Sequence, residues 1–451
     1  MAKRVIILGA GESGVGAALL AKAKGLDPFV SDSGSIKEFY KNVMKENGIE
    51  YEEGKHSLEI ILQSDEVIKS PGIPDNVPVI EALIKNNINV ISELEFAYRY
   101  TDAKIIAVTG TNGKSTTTLL IYHLLKNSKI KVGLAGNIGN SFAKQVIDSN
   151  IDVYVIEISS FQLDGLKDFK ADVGVLLNIT PDHLDRYDND FNKYIDSKIR
   201  VANNQTENDA FVFNYDDLEI KEKMQNGDFK GIHYPFTITS QLEKGAHLIE
   251  DDLHFNIGRE KKVLSSSIIP IRGDHNLSNT MAAILVSLIV GAEFSQIVAA
   301  IPSFKNAPHR MEVVCDIKGV SFINDSKATN VESALKALQC YNQITWIAGG
   351  IDKGNDYGLI TETVQKNVKA LVCLGKDNRK LMESFTDIIE DIFETNDVNE
   401  AVKIAFDHTD EGGIVLLSPA CSSFDLFDNY EHRGDSFKEA VGKYKYEIEQ
   451  N

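Results

Sequence analysis

The chain has little cysteine: four residues in 451. Cys315, Cys340, Cys373 and Cys421 are spaced 25, 33 and 48 residues apart. That spacing excludes a CxxC redox motif, a zinc module and a disulfide scaffold, and it reads as reduced thiols in a cytoplasmic protein. Proline is sparse at 10 residues and glycine ordinary at 32, which excludes collagen-like and low-complexity classes. Long apolar runs are missing too. The stretch 281–292 is too short to span a bilayer, so no membrane partner is expected. Lys3-Arg4 and the apolar residues after them resemble a signal peptide, but Gly9, Gly11, Glu12 and Gly14 break the run as a strand and turn would. Positive charge is in deficit, 47 Lys and Arg against 66 Asp and Glu, a net charge of −19. Such a surface repels phosphate backbones and argues against nucleic acid as a partner. Anionic small molecules would need local positive sites.

What is present is an alternation of strand-like apolar runs and helical patterns, the signature of α/β architecture with mostly parallel sheets. At roughly 150 residues per domain the length predicts three domains, placed at 1–93, 94–302 and 303–451. The first opens with a strand at 4–8, a glycine turn and a helix over 15–24. The second restarts with a strand at 105–108, a glycine loop and a helix over 115–125, with core strands at 153–158 and 173–179 and a buried helix over 281–290. The third repeats the pattern with strands at 321–324, 344–348, 370–374 and 414–417.

Chemistry-bearing residues collect at strand ends. Gly9-Ala10-Gly11-Glu12-Ser13-Gly14 is GxGxxG between strand and helix, with Asp32 closing the next strand. On spacing this is a dinucleotide fingerprint, with phosphate at the helix N-terminus and Asp32 on a ribose; an NAD-dependent oxidoreductase stays open here. Gly110-Thr111-Asn112-Gly113-Lys114-Ser115-Thr116 is the stronger signal. Backbone N–H groups there can cradle phosphates, Lys114 can neutralise them, and Ser115 or Thr116 can ligate Mg²⁺. The loop has two fewer residues between its glycines than the P-loop pattern, and it points to ATP. Glu157 ends an apolar strand, where a hard carboxylate suits Mg²⁺. His183 lies among Asp182, Asp185 and Arg186 after the following strand. Lys198, on a helix, reads by itself as a solvated lysine. In the third domain Asn324 to Asn330, Gly349 to Gly354 and Ser418 to Asp425 are polar loops after strands, the usual setting of a ligand crevice.

In order and spacing these motifs resemble the Mur ligase family. The carriers are GTNGKST at 110–116, SSFQL at 159–163, TPDHLDRY at 180–187, HNLSN at 275–279, NDSKATN at 324–330 and SPACSSFD at 418–425. The last two look like the D-glutamate-adding branch; the DNPR signature of other branches is absent. The resemblance covers essentially the whole chain. It implies a Rossmann-like N-terminal domain, a P-loop ATPase-like middle and a Rossmann-like C-terminal domain. The implied activity is ATP-dependent ligation of D-glutamate to UDP-N-acetylmuramoyl-L-alanine, through an acyl phosphate, in peptidoglycan precursor synthesis by a monomeric cytoplasmic enzyme.

It also implies residue roles. The first glycine motif would hold UDP and no NAD, with Gly14, Asp32, Ser33, Ser70 and Gly72 near it; relatives often carry Arg where this chain has Gly34. Asn137, Ser159 and Gln162 would meet the rest of that substrate. ATP would be held by residues 110–116 with Asn279, Arg310 and Asp325. Two Mg²⁺ would draw on Ser115, Thr116, Glu157, His183 and Lys198, the lysine carried as a carbamate. Lys327, Thr329, Lys353, Ser423, Phe424 and Tyr430 would surround D-glutamate. Lys114, His183, Lys198 and Arg310 would be the catalytic set. The chemistry requires such cations: a carboxylate attacking a γ-phosphate at ~3.5 Å faces about 5 kcal/mol of repulsion at an effective dielectric near 20, a thousands-fold penalty in rate if uncompensated. Another amide ligase of the folylpolyglutamate synthase type and a nucleotide-switched binding module are the alternatives.

Overall fold

The computed structural model describes residues 2–74, 76–147, 150–258 and 260–450. Its strands form three sheets. The first has five parallel strands, β1 (Arg4–Leu8), β2 (Asp27–Asp32), β3 (Glu50–Glu53), β4 (Glu66–Lys69) and β5 (Val90–Ser92), in the order β3-β2-β1-β4-β5. The second has nine: β6 (Lys104–Thr109), β7 (Val132–Gly136), β8 (Val153–Glu157), β9 (Val173–Leu176), β10 (Ala210–Asn214), β11 (Ile232–Thr237), β12 (Gly245–Ile249), β13 (Asp252–Ile257) and β14 (Glu260–Ser265). Their order is β14-β13-β12-β11-β10-β9-β6-β8-β7, parallel except for the antiparallel arm β12-β13-β14. The third contains β15 (Glu312–Ile317), β16 (Val320–Asn324), β17 (Ile344–Gly349), β18 (Val368–Leu374), β19 (Asp391–Thr395) and β20 (Ile414–Ala420), in the order β15-β16-β20-β17-β18-β19 with only β15 antiparallel.

The described residues cluster into two compact units. One runs to Pro270 and includes Leu277–Phe304; the other joins Ile271–Asn276 to the chain from Lys305 onward. The first two sheets therefore share a unit, and their helices bury one continuous core that includes Val5, Ile7, Ala17, Phe96, Ile105, Phe142 and Ile156. No helix among the described residues is long and apolar enough to cross a membrane.

The strands expected from apolar runs are present, commonly a residue or two longer. Two helices start earlier than periodicity suggests. The first spans Glu12–Ala23 rather than beginning at Val15, because its opening turn is built from the glycine motif and carries no apolar stripe. The buried helix spans Asp274–Ile289, its polar start hidden by the HNLSN run. The strand expected over 173–179 stops at Leu176. β3, β7, β19 and the β12-β13-β14 arm carried too few consecutive apolar residues to be read.

Gly14 sits where helix Glu12–Ala23 crosses β1. A Cβ there would lie 1.9 Å from the Gly9 carbonyl oxygen, and backbone cannot yield cheaply. Gly14→Ala should lower unfolding free energy by about 1–3 kcal/mol, the range for overpacking, read as a lower urea midpoint at unchanged slope. An unchanged midpoint would contradict this packing.

Candidate functional site

In the second sheet β6 is flanked by β9 and β8, so the loops after these three strands share one crevice at their carboxyl ends, the ligand position expected of open α/β sheets. The glycine loop follows β6 and leads into helix Lys114–Asn127. Gly113 caps that helix with φ 82°, and a Cβ on it would lie 2.4 Å from Asn279 Oδ1. Only glycine suits both constraints, and Asn279 is thereby placed against the loop.

The loop is held from the β9 side. Thr111 N–H donates to the Asn178 carbonyl at 2.9 Å. Asn112 N–H donates to Asn178 Oδ1 at 2.8 Å, and Asn178 Nδ2 returns a bond to the Asn112 carbonyl at 3.0 Å. Thr111 Oγ1 accepts from Thr180 N–H at 3.0 Å and lies 3.1 Å from the Tyr194 hydroxyl. The backbone N–H row at 110–116 is thus preshaped, and Ser115 and Thr116 are buried at its end.

Two lysines meet at the loop. Lys114 Nζ donates to the Gly110 carbonyl at 2.7 Å and to Thr111 O at 2.7 Å. Lys198 Nζ donates to the same Gly110 oxygen at 2.8 Å. Lys198, which read alone looked solvated, is 1% exposed in helix Phe191–Ile199, with its ammonium 5.0 Å from the centre of the Tyr194 ring. Burial, then the Lys114 charge, drives its pKa well below the ordinary lysine value; Asp182, Asp164 and Glu157 oppose that only in part.

Glu157, 2% exposed at the end of β8, faces this cationic pair with half its carboxylate unsatisfied. Oε1 accepts from Asn137 Nδ2 at 3.1 Å; Oε2 is buried with no hydrogen-bond partner. An orphaned buried carboxylate oxygen is costly without a cation, and the neighbouring hydroxyls of Ser115 and Thr116 are donors of the kind Mg²⁺ takes. No three His, Cys, Asp or Glu among the described residues gather closely enough to hold an ion by themselves. His183 occupies an exposed left-handed position (φ 52°), its ring 5.4 Å from Phe161, which Arg186 covers at 4.1 Å. Ser159 and Gln162 bond each other in a capping box at the start of helix Ser160–Asp164.

In the first sheet Asp32 is engaged twice. Oδ2 accepts from Ala10 N–H at 2.7 Å and Oδ1 from Gly34 N–H at 2.8 Å. It ties the glycine turn to the loop after β2, with Ser33 exposed beside it. Ser70 follows β4 and underlies Gly9, with exposed Gly72 two residues on.

In the other unit β16, β20 and β17 are neighbours, so the three polar loops lie at adjacent carboxyl ends. Asp325 is buried. Ser418 Oγ donates to it at 3.0 Å and Met311 N–H at 3.2 Å, and burial pushes its carboxyl up to about 7. Arg310 Nε is buried without a hydrogen-bond partner. Lys327 Nζ lies 5.2 Å from the centre of the Tyr430 ring; Thr329 is half-buried, Ser423 buried, and Lys353 and Phe424 are exposed on their loops. Arg433 is the residue that sequence reasoning missed. Only 2% exposed, it donates to Ser326 Oγ and O, Gly349 O and Cys421 O, stitching all three loops together. No motif marked it, since it lies inside helix Tyr430–Gln450.

A glycine loop at a sheet's switch point, with a lysine pair and an unsatisfied carboxylate, defines a nucleotide-phosphate-binding α/β protein. The sequence matches the Mur ligase MurD-like N-terminal domain over residues 3–92, the Mur ligase middle domain over 108–287 and the Mur ligase glutamate ligase domain over 309–421. It is 46% identical to a UDP-N-acetylmuramoylalanine–D-glutamate ligase of Christiangramia forsetii, covering 98% of this chain and 99% of that one. It is 47% identical to the protein of that name in Bacteroides fragilis, covering 97% and 99%. Among solved structures, a UDP-N-acetylmuramate–alanine ligase of Thermotoga maritima aligns at TM-score 0.63 and 19% identity, covering 99% of this chain and 100% of that one, a likeness of fold. The chain belongs to the Mur ligase family.

Partial burial, with Lys336 and Arg310 nearby, pushes the His275 imidazole down to about 4. Between pH 6.5 and 4 the unfolded chain therefore takes up a proton that the folded chain refuses. The His275 contribution to stability should therefore fall as pH drops through this window and stay constant above it. His275→Gln should flatten this slope in urea titrations at pH 4.5 and 7; an identical slope would contradict it.

Proposed function

We propose that the chain is an ATP-dependent ligase that joins D-glutamate to UDP-N-acetylmuramoyl-L-alanine, releasing ADP and phosphate. The observation that carries this is 46–47% identity, over nearly the whole length, to ligases named for that reaction. The domains are assigned as 1–93 for the UDP part, 94–302 for ATP and 303–451 for the amino acid, all acting on small molecules, in a cytoplasmic monomer.

The substrate carboxylate takes the γ-phosphoryl group of ATP, giving an acyl phosphate and ADP. The amine of D-glutamate then attacks the acyl carbon; phosphate leaves and the amine proton is lost. Little covalent work falls to the protein, so positioning and charge neutralisation dominate. Residues 110–116 receive the phosphates, Lys114 turning from the Gly110 and Thr111 carbonyls towards them. Arg310 serves as a phosphate fork, with Asp325 and Asn279 on the nucleotide. Ser115, Thr116 and Glu157 are the donors assigned to one Mg²⁺, and His183 and Lys198 to a second. Mg²⁺ supplies charge neutralisation at the phosphates.

Lys198 fits that set only as an anion. The buried ammonium loses a proton, and the neutral amine then adds CO₂ to give a carbamate and a second proton, so one of two cations crowded on one carbonyl becomes an anion. Lys198→Ala should cost at least 100-fold in kcat with intact folding; retained full activity would sink this role. Gly14, Asp32, Ser33, Ser70 and Gly72 are assigned to UDP, and Asn137, Ser159 and Gln162 to the muramoyl end. Lys327, Thr329, Lys353, Ser423, Phe424 and Tyr430 are assigned to the two carboxylates of D-glutamate and their surroundings.

The test is a panel with ATP, Mg²⁺ and UDP-N-acetylmuramoyl-L-alanine, adding D-glutamate, L-glutamate, L-alanine, diaminopimelate or nothing. Phosphate release and a matching product mass are expected with D-glutamate alone. Turnover with a different amino acid, or none anywhere, would overturn the assignment.

A further inference from the structure

Glu93 lies outside every motif considered so far, yet it is among the most deeply buried carboxylates in its unit, 4% exposed at the start of helix Glu93–Tyr98. Its Oε1 accepts from Ser141 Oγ at 2.7 Å and from Ala143 N–H at 2.7 Å. A second carboxylate reaches the same serine: Glu12 Oε1 accepts from Ser141 N–H at 3.3 Å. Glu12 is the first residue of the helix after the first glycine turn. That helix presses on Ser141 directly, since a Cβ on Gly16 would lie 2.0 Å from Ser141 Oγ. Burial pushes the Glu93 carboxyl up, against the bonds from Ala143 and Ser141 that hold it down. Keeping two acidic groups on one buried serine is costly, and a purely apolar contact would pack the two sheets together without it.

The bond pattern shows what the cost supports. Ser141 ends the loop after β7. Four residues earlier, Asn137 donates from its backbone N–H to the Glu157 carbonyl at 2.9 Å and from Nδ2 to Glu157 Oε1 at 3.1 Å. Hydrogen bonds therefore tie Glu12 of the glycine-turn helix and Glu93 to Ser141, and four residues of backbone connect Ser141 to Asn137, whose own bonds orient Glu157. We propose that Glu93 is a positioning residue that fixes the loop at 136–141 against the glycine-turn helix, so that one strut sets both the UDP cradle and the orientation of the cation-binding carboxylate. This rests on the functional reading above. Energetic coupling of this kind travels through contiguous bonded networks of packed elements.

The test reads ligand binding directly, with one turnover measurement as its control. Dissociation constants for UDP alone and for Mg·ADP are measured by calorimetry on the full-length wild type, Glu93→Ala, Glu93→Gln and Ser141→Ala, with D-glutamate KM from phosphate release. Glu93→Ala should weaken UDP and Mg·ADP by at least fivefold each and leave the D-glutamate KM within twofold. Glu93→Gln should stay within twofold on both, because the amide oxygen still accepts from Ser141 and Ala143. If Glu93→Ala does not fold, Ser141→Ala carries the test, with at least a twofold loss on both ligands. Loss of one ligand alone, no loss of either, or failure of Glu93→Gln to rescue would overturn the strut. Absence of UDP or Mg·ADP binding in the wild type would overturn the functional reading itself.

Discussion

Two lysine side chains on one backbone carbonyl are the constraint around which the rest of the second sheet is arranged. Lys114 and Lys198 both donate to Gly110 O, and Lys198 does so while almost completely buried. Two ammonium groups so close, away from water, repel strongly unless anions arrive or one charge is removed. Glu157 supplies one nearby negative group but leaves an oxygen orphaned. The site therefore has cationic and anionic groups that do not satisfy one another, the condition of a pocket organised for a charged ligand rather than for its own stability.

The fold places these groups by topology. β6 has β8 on one side and β9 on the other, so the glycine loop, Glu157 and the segment beginning at Asn178 emerge side by side. In the other unit β16, β20 and β17 do the same for three polar loops, with Arg433 as their common donor. The candidate site residues sit on loops, but each loop is anchored by buried polar contacts that leave it little freedom, which is how preorganised charge remains in place.

How much of this was legible follows from what sequence patterns encode. Apolar runs at 4–8, 105–108 and 344–348 announced buried parallel strands because both their faces are covered. The glycine loop was legible because phosphate chemistry dictates its composition. Lys198 was not: helix periodicity places it among polar neighbours, and its burial arises from Tyr194 and the Gly110 carbonyl, 88 residues away in sequence. Arg433 and Glu93 were invisible for the same reason. Each is a charged residue buried by partners on distant loops, and sequence spacing carries no record of that. Asp32 was legible from its place at a strand end; its bonds from Ala10 N–H and Gly34 N–H, which tie two loops together, carry no sequence signature.

We propose that charge crowding at Gly110 is relieved when Lys198 becomes an anion. Carbon-13 NMR of the enzyme equilibrated with ¹³C-bicarbonate, with Lys198→Ala as reference, tests it most directly. A carbamate resonance present in the wild type, absent in the variant and lost on exhaustive CO₂ removal together with activity is the predicted result. A fully active wild type in CO₂-free buffer, with no such resonance, would show that Lys198 works as an amine.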